Sequence, residues 1–250
     1  LSAVFNMNQK STQSPAEDIQ ANLQKVRLGI KLACEKFGRD PDHVALLAVS
    51  KTKPVSMIES AIALGQTHFG ENYLQDALTK IEVIKGQTKP PKPIWHYIGA
   101  IQSNKTRPIA EHFDWVHTVS SHKIAKRLSD QRPSYMQPLN ILLQVNIDAE
   151  PTKSGVKPEQ LLELIQTILE LPGIQLRGLM AIPAPASEFE LQRAPFKALG
   201  DLKQQCIAEL GSELQGFDQL SMGMTGDLEA AIAEGATWLR IGTAIFGERN

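Results

Sequence analysis

Cysteine is nearly missing from this chain. There are two in 250 residues, Cys34 and Cys206, far apart and in no metal or redox spacing. That excludes a disulfide scaffold and a cysteine-based metal knot. Both fall in expected helices, where a free cysteine is ordinarily a small buried apolar side chain. A reducing cytoplasm fits this usage. No charge of one sign dominates: 26 Lys and Arg stand against 27 Asp and Glu, net −1. A nucleic-acid or anionic-membrane surface is therefore not expected. No apolar run approaches the ~18 residues of a membrane span. The opening Leu1-Ser2-Ala3-Val4-Phe5 is too short for a secretory core and has no basic residue before it. There is no Walker A motif, no Gly-x-Gly-x-x-Gly and no Gly-x-Ser-x-Gly elbow. The histidines His43, His68, His96, His112, His117 and His122 show no metal-ligand spacing, so no metal is expected.

What is present describes a globular domain: 42% hydrophobic and 21% charged residues. The length is near the ~250 residues of one (β/α)8 barrel. Residues 1–14 are polar and without period, an expected flexible tail; residues 15–250 read as one domain. Ser14-Pro15-Ala16-Glu17 is a helix start, and Ile19, Leu23, Val26, Ile30 and Ala33 keep helical spacing up to Gly38. Strands are expected at 44–49, 67–69, 94–99, 115–119, 140–146, 175–182, 219–222 and 237–241. Helical patterns separate them, including 54–64, 73–84, 121–129, 158–171, 187–210 and 228–234. Alternating units of this kind predict a parallel sheet, and eight of them predict closure into a (β/α)8 TIM barrel with an extra N-terminal helix.

Two small-residue turns sit at expected strand ends: Ser221-Met222-Gly223-Met224-Thr225-Gly226-Asp227, and Arg240-Ile241-Gly242-Thr243. Such turns let backbone N–H groups approach a phosphate, and the loops after strands 7 and 8 are the usual phosphate site of a barrel. Lys51 follows the first apolar strand. Alternation puts it on the side of Leu47 and Val49, at the catalytic rim. A lysine there is either a Schiff-base nucleophile for a phosphorylated aldehyde or a strand-end cation holding an anion. The nucleophile must be neutral, which needs burial or a neighbouring cation such as Lys53 or Arg240. Arg240 either meets a pyridine nitrogen, keeping it unprotonated, or pairs with Glu229 or Glu248 on the surface. His96 faces the mouth or the core. Met180 and Met224 face a ligand or pack. Asp227 and Glu229 suit a helix N-terminus.

Eight segments in order carry a resemblance. They are Ala48-Val49-Ser50-Lys51-Thr52-Lys53-Pro54, Phe69-Gly70-Glu71-Asn72-Tyr73, Trp95-His96-Tyr97-Ile98-Gly99 and Gln102-Ser103-Asn104-Lys105. They continue with Lys153-Ser154-Gly155, Arg177-Gly178-Leu179-Met180-Ala181-Ile182-Pro183, Ser221-Met222-Gly223-Met224 and Arg240-Ile241-Gly242-Thr243-Ala244-Ile245-Phe246-Gly247. Over residues 16 to 250 or so the chain resembles the pyridoxal phosphate homeostasis proteins. The resemblance implies the barrel of alanine racemase and pyridoxal 5′-phosphate (PLP) held as an internal aldimine on Lys51. It implies that Ser221, Gly223, Met224, Gly242 and Thr243 hold the phosphate, with Arg240 at the pyridine nitrogen. Asn72, His96 and Met180 would line the ring pocket. Lys153 matches a lysine linked in the family to a second PLP contact or to transfer. Thr225 stands where the family usually has Ser; the hydroxyl is kept, so the phosphate grip is expected to hold.

The family is associated with keeping free PLP low and supplying it, with PLP-dependent apo-enzymes as the recipients, and without established turnover. Two further readings stand beside it: a PLP enzyme such as a weak amino-acid racemase, and a phosphate-binding barrel without PLP. Racemases that resemble this barrel add a β-rich domain carrying a second acid/base. Here seven residues follow Thr243, so that domain is not expected. A closed barrel satisfies its own sheet, so a monomer is expected.

Overall fold

Apolar runs flanked by turn residues become eight short strands: β1 (Ala45–Val49), β2 (His68–Glu71), β3 (Ile94–Tyr97), β4 (Trp115–Val119), β5 (Leu139–Gln144), β6 (Ile174–Met180), β7 (Gln219–Ser221) and β8 (Trp238–Ile241). In the computed structural model, which describes residues 15–86, 92–148, 150 and 153–248, they form one closed barrel in chain order. Every neighbouring pair is parallel, and β8 returns to β1 with Leu47 opposite Arg240. The expected tail at residues 1–14 lies outside the described residues.

The helices are α1 (Pro15–Lys36), α2 (Val55–Ala63), α3 (Leu74–Lys85), α4 (Thr106–His112), α5 (His122–Gln131), α6 (Leu161–Leu169), α7 (Phe189–Leu210), α8 (Leu228–Ala233) and α9 (Thr243–Phe246). Ser121 caps α5 by accepting from the Ile124 N–H, as a serine at that position should. α1 precedes the barrel and packs along α2, α8 and α9; Asn22 donates to the Ile245 carbonyl.

Alternation along each strand divides the apolar residues into two assemblies. Leu46, Ala48, Phe69, Val116, Ile141, Leu143, Leu179 and Leu239 face the helices in the main core. Leu47, Trp115, Leu142, Met180 and Trp238 fill the barrel itself. Barrel interiors are ordinarily layers of Val, Ile and Leu. This one adds tryptophan and histidine to leucine and methionine.

The structure departs from the sequence expectation at several places, and β3 and β6 each end two residues early, at Tyr97 and Met180. β5 stops at Gln144 rather than 146, because Val145 forms an isolated bridge to Val156 and the Asn146 amide turns back to the Glu150 carbonyl. The helix expected from 158 opens as a 3-10 turn, Pro158–Gln160, before α6 begins at Leu161. One turn of helix, α9, follows β8 where none was expected.

Close packing at the strand exits is tightest at Gly99. A Cβ there would lie 2.1 Å from the Asn72 carbonyl oxygen, a backbone atom that cannot swing aside. Gly99→Ala should therefore cost about 1–3 kcal/mol and lower the urea midpoint with the slope unchanged. An unaltered midpoint would show that the β2 and β3 exits are looser than this packing.

Candidate functional site

β1 delivers Ser50, Lys51 and Thr52 to the C-terminal rim. Thr52 is the one non-glycine residue with positive φ among the described residues, at 63°. A threonine held there signals a turn fixed by its surroundings. Ser50 is fully buried, and its hydroxyl donates to Glu71 Oε1 at 2.6 Å. Lys80 reaches in from α3 and donates to the Ser50 carbonyl at 2.9 Å and to Glu71 Oε1 at 3.0 Å. It also meets Asp76 at 2.6 Å. Burial pushes the Glu71 carboxyl up, while Ser50 and Lys80 pull it back. This clamp ties the turn carrying Lys51 to β2 and α3. The sequence expectation missed it. One signal was present: Lys80 sits in the inward stripe Ala77, Ile81 and Ile84 of α3, where a lysine needs a partner.

A cavity of about 350 Å3 opens at the mouth. Lys51, Asn72, Met180, Met224, Thr225, Arg240, Gly242 and Thr243 line it, together with Lys53. Most of the expected site residues thus come together at the rim. Arg240 is 5% exposed. Its Nη1 donates to Ser221 Oγ at 2.8 Å and its Nη2 to the Ala181 carbonyl at 3.0 Å. The surface ion pair left open for it is not formed: Glu229 pairs with Lys36, and Lys53 takes the Glu248 carbonyl. Burial pushes the guanidinium down to about 10, against the pull of Asp227. It therefore remains charged at neutral pH.

The two expected phosphate turns face this cavity. Gly223 has φ 90°, and a Cβ on it would strike the Ala231 side chain at 2.4 Å, so only glycine closes this turn onto α8. The Met224 N–H already donates to Asp227 Oδ1 at 2.6 Å. Ser221 does not reach the cavity. It is fully buried, below Arg240, and its hydroxyl is bonded to Arg240 and to His117. His96 is also fully buried, stacked on Trp115 with its ring edge-on to Trp238. Of the two positions open to it, the core is the one it takes. Lys153 lies in an adjoining cavity of about 210 Å3 that shares Ile182 with the mouth. There it binds Asp148 at 2.5 Å and Glu150 at 3.1 Å, and the Asp148 hydrogen bond pushes its ammonium pKa up.

Beneath Arg240 the barrel holds a hydrogen-bonded row of rings that the sequence did not announce. His117 Nδ1 meets Ser221 Oγ at 2.8 Å, His96 Nδ1 meets His117 Nε2 at 2.8 Å, and His68 Nδ1 meets His96 Nε2 at 2.9 Å. Burial holds His96 and His117 well below the ordinary imidazole value, reinforced at His96 by His117 and at His117 by Arg240.

Comparison with known proteins places this geometry. The model of the alanine racemase N-terminal domain matches residues 20–250. A pyridoxal phosphate homeostasis protein of Pseudomonas aeruginosa is 53% identical over 232 residues, covering 93% of this chain and 96% of that one. The pyridoxal phosphate homeostasis protein of Escherichia coli K12 is 49% identical over 239 residues, covering 93% and 97%. PipY of Synechococcus elongatus PCC7942, solved with PLP bound, superposes with TM-score 0.78 at 33% identity, covering 92% of this chain and all of that one. Alanine racemase from Corynebacterium glutamicum shares the fold at TM-score 0.65 and 14% identity, with 60% of its length covered. Among the described residues no helix is long and apolar enough to cross a membrane.

The buried rings set a pH dependence. His96 and His117 have folded pKa values depressed below the ordinary 6.5. The unfolded chain takes up a proton on each near that pH, and the folded barrel does not. Stability is thus complete above 6.5 and is lost as pH falls toward the folded values, by up to about 1.4 kcal/mol per pH unit for each ring. Urea melts between about pH 7.5 and 5.5 should show the midpoint falling, most steeply in the lower half. A flat midpoint would mean that the folded barrel accepts these protons.

Proposed function

This chain belongs to the pyridoxal phosphate homeostasis proteins, and from that premise we propose that it binds PLP at the barrel mouth, holds it covalently through Lys51, and buffers and supplies it inside the cell. The observation that carries this reading is Arg240. It is a buried cation, bonded to a hydroxyl and a backbone carbonyl, facing a ligand-sized cavity whose rim bears Lys51.

The residues present fit the group. About 350 Å3 lies in the range of small-molecule sites. Asn72 Oδ1 is buried without a hydrogen-bond partner in the ligand-free protein, an acceptor in reserve for a bound molecule. Gly223 and Gly242 keep the backbone of both turns close-packed, and a Cβ on Gly242 would crowd the Val49 carbonyl oxygen at 3.1 Å. PLP supplies one aldehyde, which a neutral lysine amine traps as a Schiff base.

The protein's own residues then have separable tasks. Lys51 is presented by the Ser50–Glu71–Lys80 clamp. Arg240 meets the ring nitrogen and keeps it unprotonated. Gly242, Thr243, Met224 and Thr225 surround the phosphate, and Asp227 yields the Met224 N–H to it. Asn72 and Met180 border the ring. Ser221 acts on the ligand through Arg240, and His96 through the packing below it. Lys153 guards the adjoining cavity. Apart from Arg240, the described lining residues offer only the amines of Lys51 and Lys53 as proton-exchanging groups, with no carboxylate, imidazole, phenol or thiol. That favours holding over turnover, since a racemase needs a second acid/base across the ring. We place the protein in the cytoplasm as a monomer, with residues 15–250 as one domain and PLP-dependent apo-enzymes as recipients.

Purified protein mixed with PLP should turn yellow, and borohydride should fix a pyridoxyl group on Lys51. Lys51→Ala should lose the visible band and keep the far-UV spectrum; a retained band would end the covalent assignment. Arg240→Gln should weaken PLP about tenfold or more without unfolding the barrel, as loss of a charged hydrogen bond does. Unchanged affinity would remove Arg240 from the ligand.

A further inference from the structure

The row of rings beneath Arg240 has a direction. The Ser221 oxygen accepts from Arg240 Nη1, so its own proton must go elsewhere. Among the described residues, the acceptor the structure gives that proton is His117 Nδ1. His117 then carries its proton on Nε2 and donates to His96 Nδ1. His96 in turn carries its proton on Nε2 and donates to His68 Nδ1. Every contact is satisfied with three neutral rings of one tautomer. Run the other way, His117 Nδ1 and Arg240 would both donate to Ser221, and the Ser221 proton would lose its acceptor inside the barrel.

The row also has two ends. Arg240 lines the mouth cavity. His68, the first residue of β2, is half-buried and lines a separate cavity of about 550 Å3 at the N-terminal face of the barrel. That cavity brings Arg27 and Lys31 of α1 and Asp42 of the turn before β1 to the same space. Inside the barrel His68 faces His96 and the ring of Trp238. His96 faces Trp115, Trp238 and His117, and His117 faces Ser221 and the charge of Arg240.

We propose that His68, His96, His117 and Ser221 form a proton relay through the barrel, and that charging His68 reverses the direction of every hydrogen bond between it and Arg240.

The step balances with one proton gained. Ser221 passes its hydroxyl proton to His117 Nδ1. His117 passes its Nε2 proton to His96 Nδ1, and His96 passes its Nε2 proton to His68 Nδ1. Arg240 Nη1 gives a proton to the Ser221 oxygen and regains one from the mouth cavity that it lines, the new Ser221 O–H turning away from His117. His68 ends as the imidazolium and can release its Nε2 proton to the N-terminal face. Only N–H and O–H bonds change. His96 and His117 start and finish neutral, so no lasting charge enters the region next to Arg240. Protonating His68 forces this reversal, because an N–H on His68 Nδ1 cannot face an N–H on His96 Nε2. In the reversed state Ser221 accepts from His117 as well as from Arg240, which links the mouth to the pH at the opposite face. The relay lies wholly in the protein and stands or falls separately from the assignment of PLP.

The test is a nitrogen NMR titration of the protein with labelled histidine and no added ligand, from about pH 8 down to 5, a span bracketing the ordinary imidazole value. At the upper end all three rings should carry the proton on Nε2. As His68 becomes doubly protonated, the Nδ1 and Nε2 shifts of His96 and His117 should exchange at the same midpoint while both rings stay neutral. In His68→Gln, which keeps an acceptor oxygen but cannot charge, the exchange should vanish over that range. Mixed tautomers at the upper end, rings that keep Nε2–H while His68 charges, or an exchange that persists in His68→Gln would each overturn the relay. The wild-type titration alone decides the matter if the variant does not fold.

Discussion

A permanent charge inside the barrel is the constraint on which the site depends. Arg240 is carried by β8 into a region closed by tryptophan and imidazole rings, and its two recorded bonds go to a serine hydroxyl and a peptide carbonyl. Removing a guanidinium from water costs several kcal/mol, and neutral hydrogen bonds return part of that. A carboxylate in the same place would settle the electrostatics within the protein and leave nothing for a ligand. With neutral partners the charge is oriented without a carboxylate bonded to it, which suits the ring-nitrogen contact proposed for it.

Fixing that charge requires rigid surroundings above and below. Above, the Lys51 turn at the exit of β1 is held by Ser50, Glu71 and Lys80, beside the strand β8 that carries Arg240. Below, Ser221 is oriented by the imidazole row. Polar groups in a dry interior are costly when half satisfied and rigid when fully satisfied. The ring contacts and the Ser221 hydroxyl are satisfied together in one direction, and the Ser221 oxygen accepts from Arg240.

Much of this was legible in the sequence, and the division has a physical basis. Period-two alternation was enough to place Leu47 and Val49 on the inner side, because a strand fixes side-chain direction locally, and Lys51, in the turn just beyond, lines the same mouth. The same rule, with glycines at strand exits, located the turns at Gly223 and Gly242. Features that depend on which strands become neighbours were not legible. His68, His96 and His117 lie on β2, β3 and β4, and Ser221, 104 residues beyond His117, on β7. No spacing rule joins them, since each looks alone like an ordinary core histidine. Ser221 illustrates the limit: its motif points to phosphate, whereas the inward register of β7 buries it beneath Arg240. The end of β5 was misplaced for a related reason. Val145 is as apolar as its neighbours, and the residue that captures it, Val156, comes from the returning loop.

The polar interior also bears on whether such a site holds its ligand or turns it over. A racemase sets two opposed acid/base groups against the two faces of the ring and excludes water between them. Here the titratable histidines are drawn down into the barrel, away from the cavity lining, and the rim presents amines, amides, thioethers and hydroxyls. The lysine linkage proposed for Lys51 would have the charge of Arg240 in the same cavity. The proposed relay runs through the core, outside the cavity lining. The same separation leaves the described lining of the mouth without a carboxylate or an imidazole, which suits the holding role proposed for it.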